Sequence, residues 1–249
     1  MNRQAQAVVL LLLGGAVLRA SLTDLHLRYV KAGLQPFLVA AGLLLVAAAA
    51  MTLWYELRPA APDDPDGHGH GHDHGHDHDH DHDHHGPRVG WLLLLPVLGL
   101  LLVAPPALGS YAVGQAGTVL PDRVTSDYPP LPEGDPARIT VLDYASRALF
   151  ERGRSIGDRR VQLTGFVVTG PDGQPILARM ILSCCAADGR PVKLGLTGDP
   201  PTGLADDTWV EVTGRYTHKV GRDPVNDAEV PYLEVESWRQ VPTPKQQYE

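Results

Sequence analysis

FLVAAGLLLVAAAAMTLWY, residues 37–55, runs for 19 positions without a charge. The hydrocarbon core of a bilayer is about 30 Å thick, so roughly 20 mostly apolar residues in a helix cross it. A surface helix of a soluble protein carries an apolar stripe, whereas this run is apolar on every side. Trp54 and Tyr55 close it, and such rings sit where lipid meets water. The run is therefore expected to span a membrane, within a block covering residues 33–53 and its aromatic flank.

Two further blocks lie on either side. Residues 5–18 are apolar and extend to Leu22, with Arg19 reaching the surface through its aliphatic stem. A cleaved signal peptide would share this pattern: Arg3, an apolar centre and small residues near Ala20. Two more apolar blocks close behind favour an uncleaved helix. Residues 89–108 include Trp91 and LLLLPVLGLLLVAPPAL, in which Pro96 is placed to kink a helix and Pro105–Pro106 to end it. The expectation is about three spans.

The domain plan follows from these blocks. Residues 1–58 hold two spans, 59–88 a loop rich in His and Asp, and 89–108 the third span. Residues 109–138 form a Pro/Gly-rich linker, and 139–249 a soluble β-domain. With three spans, the N-terminus and the 59–88 loop share one side and the β-domain lies on the other. Arg3, Arg58 and Arg88 face Arg28, Lys31 and Arg19, so the basic charges nearly balance. The expected setting is a membrane crossed several times, with the β-domain on the outer side.

The loop contains GHGHGHDHGHDHDHDHDHHG, residues 67–86. Ten of the twelve histidines stand there: His68, His70, His72, His74, His76, His78, His80, His82, His84 and His85. Glycine hinges and low complexity predict a disordered segment. Imidazole is the commonest metal ligand, and the interleaved carboxylates add oxygen donors. No single tetrahedron is specified, so the loop should hold Zn²⁺ or other divalent transition metals in many exchangeable ways. A solvated spacer is the alternative.

The β-domain opens with ITVLDYASRALFERG, residues 139–153, whose apolar positions fit one short amphipathic helix. Five strand-like runs follow at 160–168, 176–183, 191–196, 208–216 and 231–241, separated by Pro/Asp/Gly turns. Gly165 and Gly214 fall at bend positions within strands. Five short bent strands predict a small Greek-key barrel, OB-fold-like, with one helix before it. A net charge of -8 and the lack of a Lys/Arg cluster or stacking stripe exclude a nucleic-acid partner.

Two adjacent cysteines, Cys184 and Cys185, end the second run, with Asp188 three residues on. Neighbours on a strand point to opposite faces, so a disulfide between them is disfavoured. Three readings stay open at this point. The pair and Asp188 form a soft metal site, with an outside ligand such as His218; or the thiols are redox-active; or one cysteine packs in the barrel and the other is inert. Asp143, Glu151 and Asp158 read as surface charges. No hydrolase or nucleotide-binding motif is present, so an enzyme is not expected.

The stretches TDLHLRYVKAGLQPFL, HGHDHGHDHDHDHDHH, RRVQLTGFV, MILSCCAADGRPV and TWVEVTGRY together resemble the YcgQ-like family of bacterial permease subunits. The likeness covers nearly the whole chain, and the cysteine segment is its most specific part. It implies a multi-pass protein of the bacterial plasma membrane, often encoded beside a multi-span YcgR-like permease, with a link to zinc homeostasis in some bacteria. It raises the weight of Cys184, Cys185 and Asp188 as a functional cluster, with Arg179 just upstream. The leading expectation is a membrane-anchored accessory subunit of a permease acting in zinc transport or homeostasis. A membrane-bound thiol-redox enzyme and a non-catalytic assembly protein are the alternatives.

Overall fold

The structure, a computed structural model, describes residues 3–57, 99, 106–120 and 128–249. The histidines of the 67–86 segment lie outside the described residues, as does all of the expected third span except 99 and 106–108. The described chain divides into two compact units.

The first unit holds two helices, α1 (Arg3–Leu22) and α2 (Gln35–Leu57). Small residues let them approach. A Cβ on Gly14 would stand 2.9 Å from Val46 Cγ2, and one on Gly42 2.8 Å from Leu18 Cγ, so bulk at either position forces the helices apart. One segment, Ala32–Tyr55, is long and apolar enough to cross a membrane; the apolar part of α1, Gln6–Leu22, is shorter than that standard. Where three spans are expected, the described residues thus hold one such helix. Residues 106–108 are not helical, so the expected end of the third span at 108 is too late. Ala107 and Leu108 pack against the β-domain instead.

The second unit joins the interhelical connection Thr23–Gln35 to Pro106–Glu249. A short helix α3 (Ser110–Gln115) comes first. The two-residue strand β1 (Ala137–Arg138) precedes α4 (Val141–Phe150). Then come β2 (Val161–Thr169), β3 (Pro175–Ile181), β4 (Arg190–Gly198), β5 (Trp209–Arg222) and β6 (Glu229–Gln240). The sheet order is β1-β2-β3-β4-β6-β5, and β2 pairs again with β5. That second pairing closes β2–β6 into a five-stranded barrel with the OB-fold-like order expected from the five runs. β4 and β6 are its parallel neighbours.

Alternation explains the core. Leu163, Leu177, Val192, Leu194, Val210, Val212, Leu233 and Val235 fill the barrel. Val141, Tyr144, Ala145 and Ala148 on one face of α4 join the same cluster. Thr140 caps α4 by accepting from Asp143 N at 2.9 Å. The two bend glycines are where the barrel needs them. A Cβ on Gly165 would be 2.7 Å from Ala178 O, and one on Gly214 would strike Glu234 O.

Three local expectations are corrected. The linker reads only as Pro/Gly-rich, yet part of it is helical: α3 forms because Val113 enters a second apolar cluster with Phe166, Met180, Trp209 and Tyr248, and Asp207 binds Ser110 N and Oγ. β5 and β6 reach further than their apolar residues indicate, pairing out to Arg222–Glu229 past an irregularity between Tyr216 and Val220. Glu151 is buried, not a surface charge.

The linker also covers part of the β4 edge. Val119 N bonds Pro191 O at 3.0 Å, and Thr118 Oγ1 accepts from Lys193 N at 3.1 Å. Behind this contact Lys193 Nζ meets Asp223 Oδ2 at 2.9 Å, with the two side chains 6% and 0% exposed. Asp223 also accepts from Thr118 N and Val225 N. Burial works to raise its pKa, but Lys193 and these amides outweigh burial and hold it below the ordinary carboxylate value. Removing one partner of a buried pair strands the other, so Lys193→Met should cost about 3 kcal/mol in urea unfolding. A depressed carboxylate stabilises the fold above its unfolded pKa and loses that effect as pH falls through the folded value. Asp223→Asn should therefore flatten the loss of stability below about pH 4.

Candidate metal centre

β3 ends at Ile181, and the chain turns through Ser183–Cys184–Cys185 into a short 3-10 turn, Ala186–Asp188, before β4. Neither cysteine enters a core cluster; Cys184 is exposed and Cys185 half-buried, and both are free. The packing reading of the pair therefore fails on position. The cause is local. Cys185 is the N-cap of the turn, and Asp188 at its third position folds back over the preceding peptides.

Asp188 organises the loop. Its Oδ1 accepts from Ser183 N at 2.8 Å; its Oδ2 accepts from Cys184 N at 2.8 Å and Cys185 N at 3.2 Å. The Cys184 thiol donates to the same Oδ2 at 2.8 Å. This ring of donors keeps Asp188 far below the ordinary carboxylate value, the thiol contact first and the amides after it. The same contact pushes the Cys184 thiol up to about 11, with the neighbouring Cys185 adding to it. At neutral pH the loop thus holds a charged carboxylate and a protonated Cys184.

One donor atom from each of Cys184, Cys185 and Asp188 lies within 4.8 Å of the others. Two sulfurs and a carboxylate oxygen at that spacing suit Zn²⁺ and its softer relatives. Binding would replace the proton between Cys184 Sγ and Asp188 Oδ2, since thiols coordinate as thiolates. The sequence placed these three residues together, and the structure does the same. His218 does not join them. It stands exposed on β5, its Nδ1 3.1 Å from Tyr216 Oη. Arg179 is buried, 4.7 Å over the Trp209 ring and 3.5 Å from the Glu249 carboxylate, and its Nη2 donates to Gln246 O.

Sequence reasoning missed what holds the loop from outside. Lys31 N donates to Cys184 O at 3.1 Å, and Ala186 N donates to Tyr29 O at 2.7 Å. Val30 and Cys185 form an isolated antiparallel bridge. Tyr248 Oη donates to Arg28 O at 2.8 Å and accepts from Leu108 N at 2.9 Å, pinning the same connection. The only advance signal was that two stretches carrying the family resemblance, the connection and the cysteine segment, are the ones that meet.

A second concavity, about 340 Å³, lies on the outer face of β3, β4 and β6. Ile176, Gly195 and Tyr232 pair across these strands, and Lys193 and Asp223 are among the other lining residues. The absence of a side chain at Gly195 makes room for the Tyr232 ring, over which Lys219 Nζ sits at 4.2 Å.

Residues 149–249 match the family model of the DUF1980 C-terminal domain, in keeping with the likeness to the YcgQ-like family. Among curated proteins and solved structures nothing matches the chain.

The thiol chemistry is open to direct measurement. In a metal-free Cys185→Ser background, Asp188→Asn should speed alkylation of Cys184 by iodoacetamide at pH 8 by about tenfold or more, because more of the sulfur becomes thiolate. An unchanged rate would mean that Asp188 does not hold the thiol proton.

Proposed function

We propose that the chain is a membrane-anchored metal-binding subunit whose β-domain takes a divalent metal, zinc first, at Cys184, Cys185 and Asp188. One observation carries the reading: three side chains of metal-ligating type converge within 4.8 Å on an accessible loop of the β-domain. A site of two sulfurs and one oxygen leaves at least one coordination position open. An open site suits a protein that accepts and passes on metal better than one using metal as a structural staple. The ten histidines of residues 67–86 supply a second, less selective metal-binding element by composition. Association with a multi-span YcgR-like permease rests on the family resemblance, and with it the role in zinc transport or homeostasis.

The membrane part of the proposal rests on the apolar blocks of the chain: Ala32–Tyr55 is long and apolar enough to cross a bilayer, and residues 5–22 and 89–105 are the further spans of the three-span reading. In that reading the 67–86 histidines and the cysteine loop lie on opposite sides of the membrane.

A non-enzymatic role is part of the reading. A thiol-redox enzyme needs a thiolate poised near neutral pH, whereas the Asp188 contact keeps Cys184 protonated. An assembly role without metal predicts no binding at either element.

With residues 67–86 deleted, the full remaining chain in detergent should bind one zinc per molecule in a competition titration. Cys184→Ser/Cys185→Ser in that background should abolish it; no binding before the substitution would overturn the metal role of the β-domain. For the membrane arrangement, Gly75→Cys in a chain lacking Cys184 and Cys185 should react with an impermeant maleimide from one face of sealed vesicles. The native cysteines should react from the other, and labelling from one common face would refute the three-span arrangement.

A further inference from the structure

The metal reading leaves open why a loop of the β-domain should be hydrogen-bonded to the connection between two apolar helices. The bonds fall on the ligand residues themselves. The peptide between Cys184 and Cys185 is held on both edges: its carbonyl accepts from Lys31 N at 3.1 Å, and its N–H donates to Asp188 Oδ2 at 3.2 Å. One residue on, Ala186 N donates to Tyr29 O at 2.7 Å, and Val30 bridges Cys185. Rotation of that peptide plane changes the two torsions between the cysteine Cα atoms. Those torsions decide whether the neighbouring sulfurs share a side, since adjacent residues on a regular strand point apart. Lys31 therefore helps to set the distance between the two sulfur donors without touching either.

We propose that metal occupancy of Cys184, Cys185 and Asp188 is coupled to the pairing of the Thr23–Gln35 connection, so that the connection senses whether the site is loaded. This rests on the metal reading of the site and adds its regulation. The coupling is reciprocal: what the paired connection adds to metal affinity, bound metal adds to the pairing. α1 ends at Leu22 and α2 begins at Gln35, so the segment hydrogen-bonded to the ligand loop continues directly into both helices. A loaded site thus stiffens the segment from which the helices leave, and an empty one lets it open.

Lys31 offers a clean probe. Its φ of -60° and ψ of 136° already suit proline, which would delete the N–H and leave the backbone path unchanged. Lys31→Ala loses the same side chain and keeps the N–H. In the full chain in nanodiscs, zinc should protect Cys184 and Cys185 from alkylation at a concentration about three- to tenfold higher in Lys31→Pro than in Lys31→Ala, the worth of one backbone hydrogen bond; alkylation reads the cysteine site alone, since residues 67–86 hold no thiol. Hydrogen exchange on the unmodified chain gives a second readout that needs no variant. At a zinc concentration about 100 times Kd, exchange at the Lys31 and Ala186 amides should slow by up to about a hundredfold, because openings that break the site are suppressed by mass action. Zinc protection of the two cysteines in the unmodified chain, with equal half-protecting concentrations in the two variants and no protection of these amides, would overturn the coupling alone. Failure of zinc to protect the cysteines of the unmodified chain would overturn the metal reading of the site and the coupling with it.

Discussion

Six register pairs between β2 and β5, from Val161–Gly214 to Phe166–Trp209, close the sheet on itself, and the rest of the β-domain depends on them. Closure removes the two edges that five antiparallel-rich strands would otherwise expose. It requires sharp bends, which is why Gly165 and Gly214 stand where neighbouring carbonyls leave no space for a Cβ. It also leaves β4 flanked by β6 only from Gly195 onward, so its earlier residues need another partner. The linker provides it through Thr118 and Val119, and the buried Lys193–Asp223 pair locks that cover in place. The pair is worth less as net energy than as a fixed arrangement, since desolvation offsets much of its attraction.

The cysteine loop follows from the same closure. β3 and β4 are antiparallel neighbours, so the loop joining them projects from one end of the barrel. There Asp188 gathers three backbone N–H groups and one thiol. A single carboxylate thus performs two tasks that compete for one oxygen. It orders the empty loop, and it is the oxygen donor of the candidate site. Ordering before binding reduces the conformational cost of binding. Holding the thiol proton sets a threshold, because metal must displace it.

Much of the fold was legible in the chain. Five strands, the helix before them, their turns and the bend glycines follow from alternation and from Gly/Pro/Asp placement, which are local properties. The extension of β5 through Thr217–Arg222 was not, because its residues are mostly polar, lie at or near the surface and show no apolar alternation, and the pairing alone makes them a strand. The helix α3 was hidden for a related reason: six residues do not form a helix unaided, and Val113 and Asp207 stabilise it from outside. The site was half legible. Cys184, Cys185 and Asp188 were visible as residue types at short spacing, and short spacing survives folding. His218 was a fair candidate by type and was excluded only by its place on β5.

What the chain determined by itself is whatever depends on neighbours a few positions apart: an apolar run long enough for a bilayer, a tract of alternating His and Asp, strand periodicity, and three donors within five residues. The tertiary structure alone decided how these parts meet. Tyr29, Val30 and Lys31 lie far along the chain from Cys184, Cys185 and Ala186, and their contacts are between backbone groups. Backbone N–H and C=O groups are the same at every residue, so no side-chain pattern announces which of them will pair. That is why the donors could be read from the sequence and the connection that positions them could not.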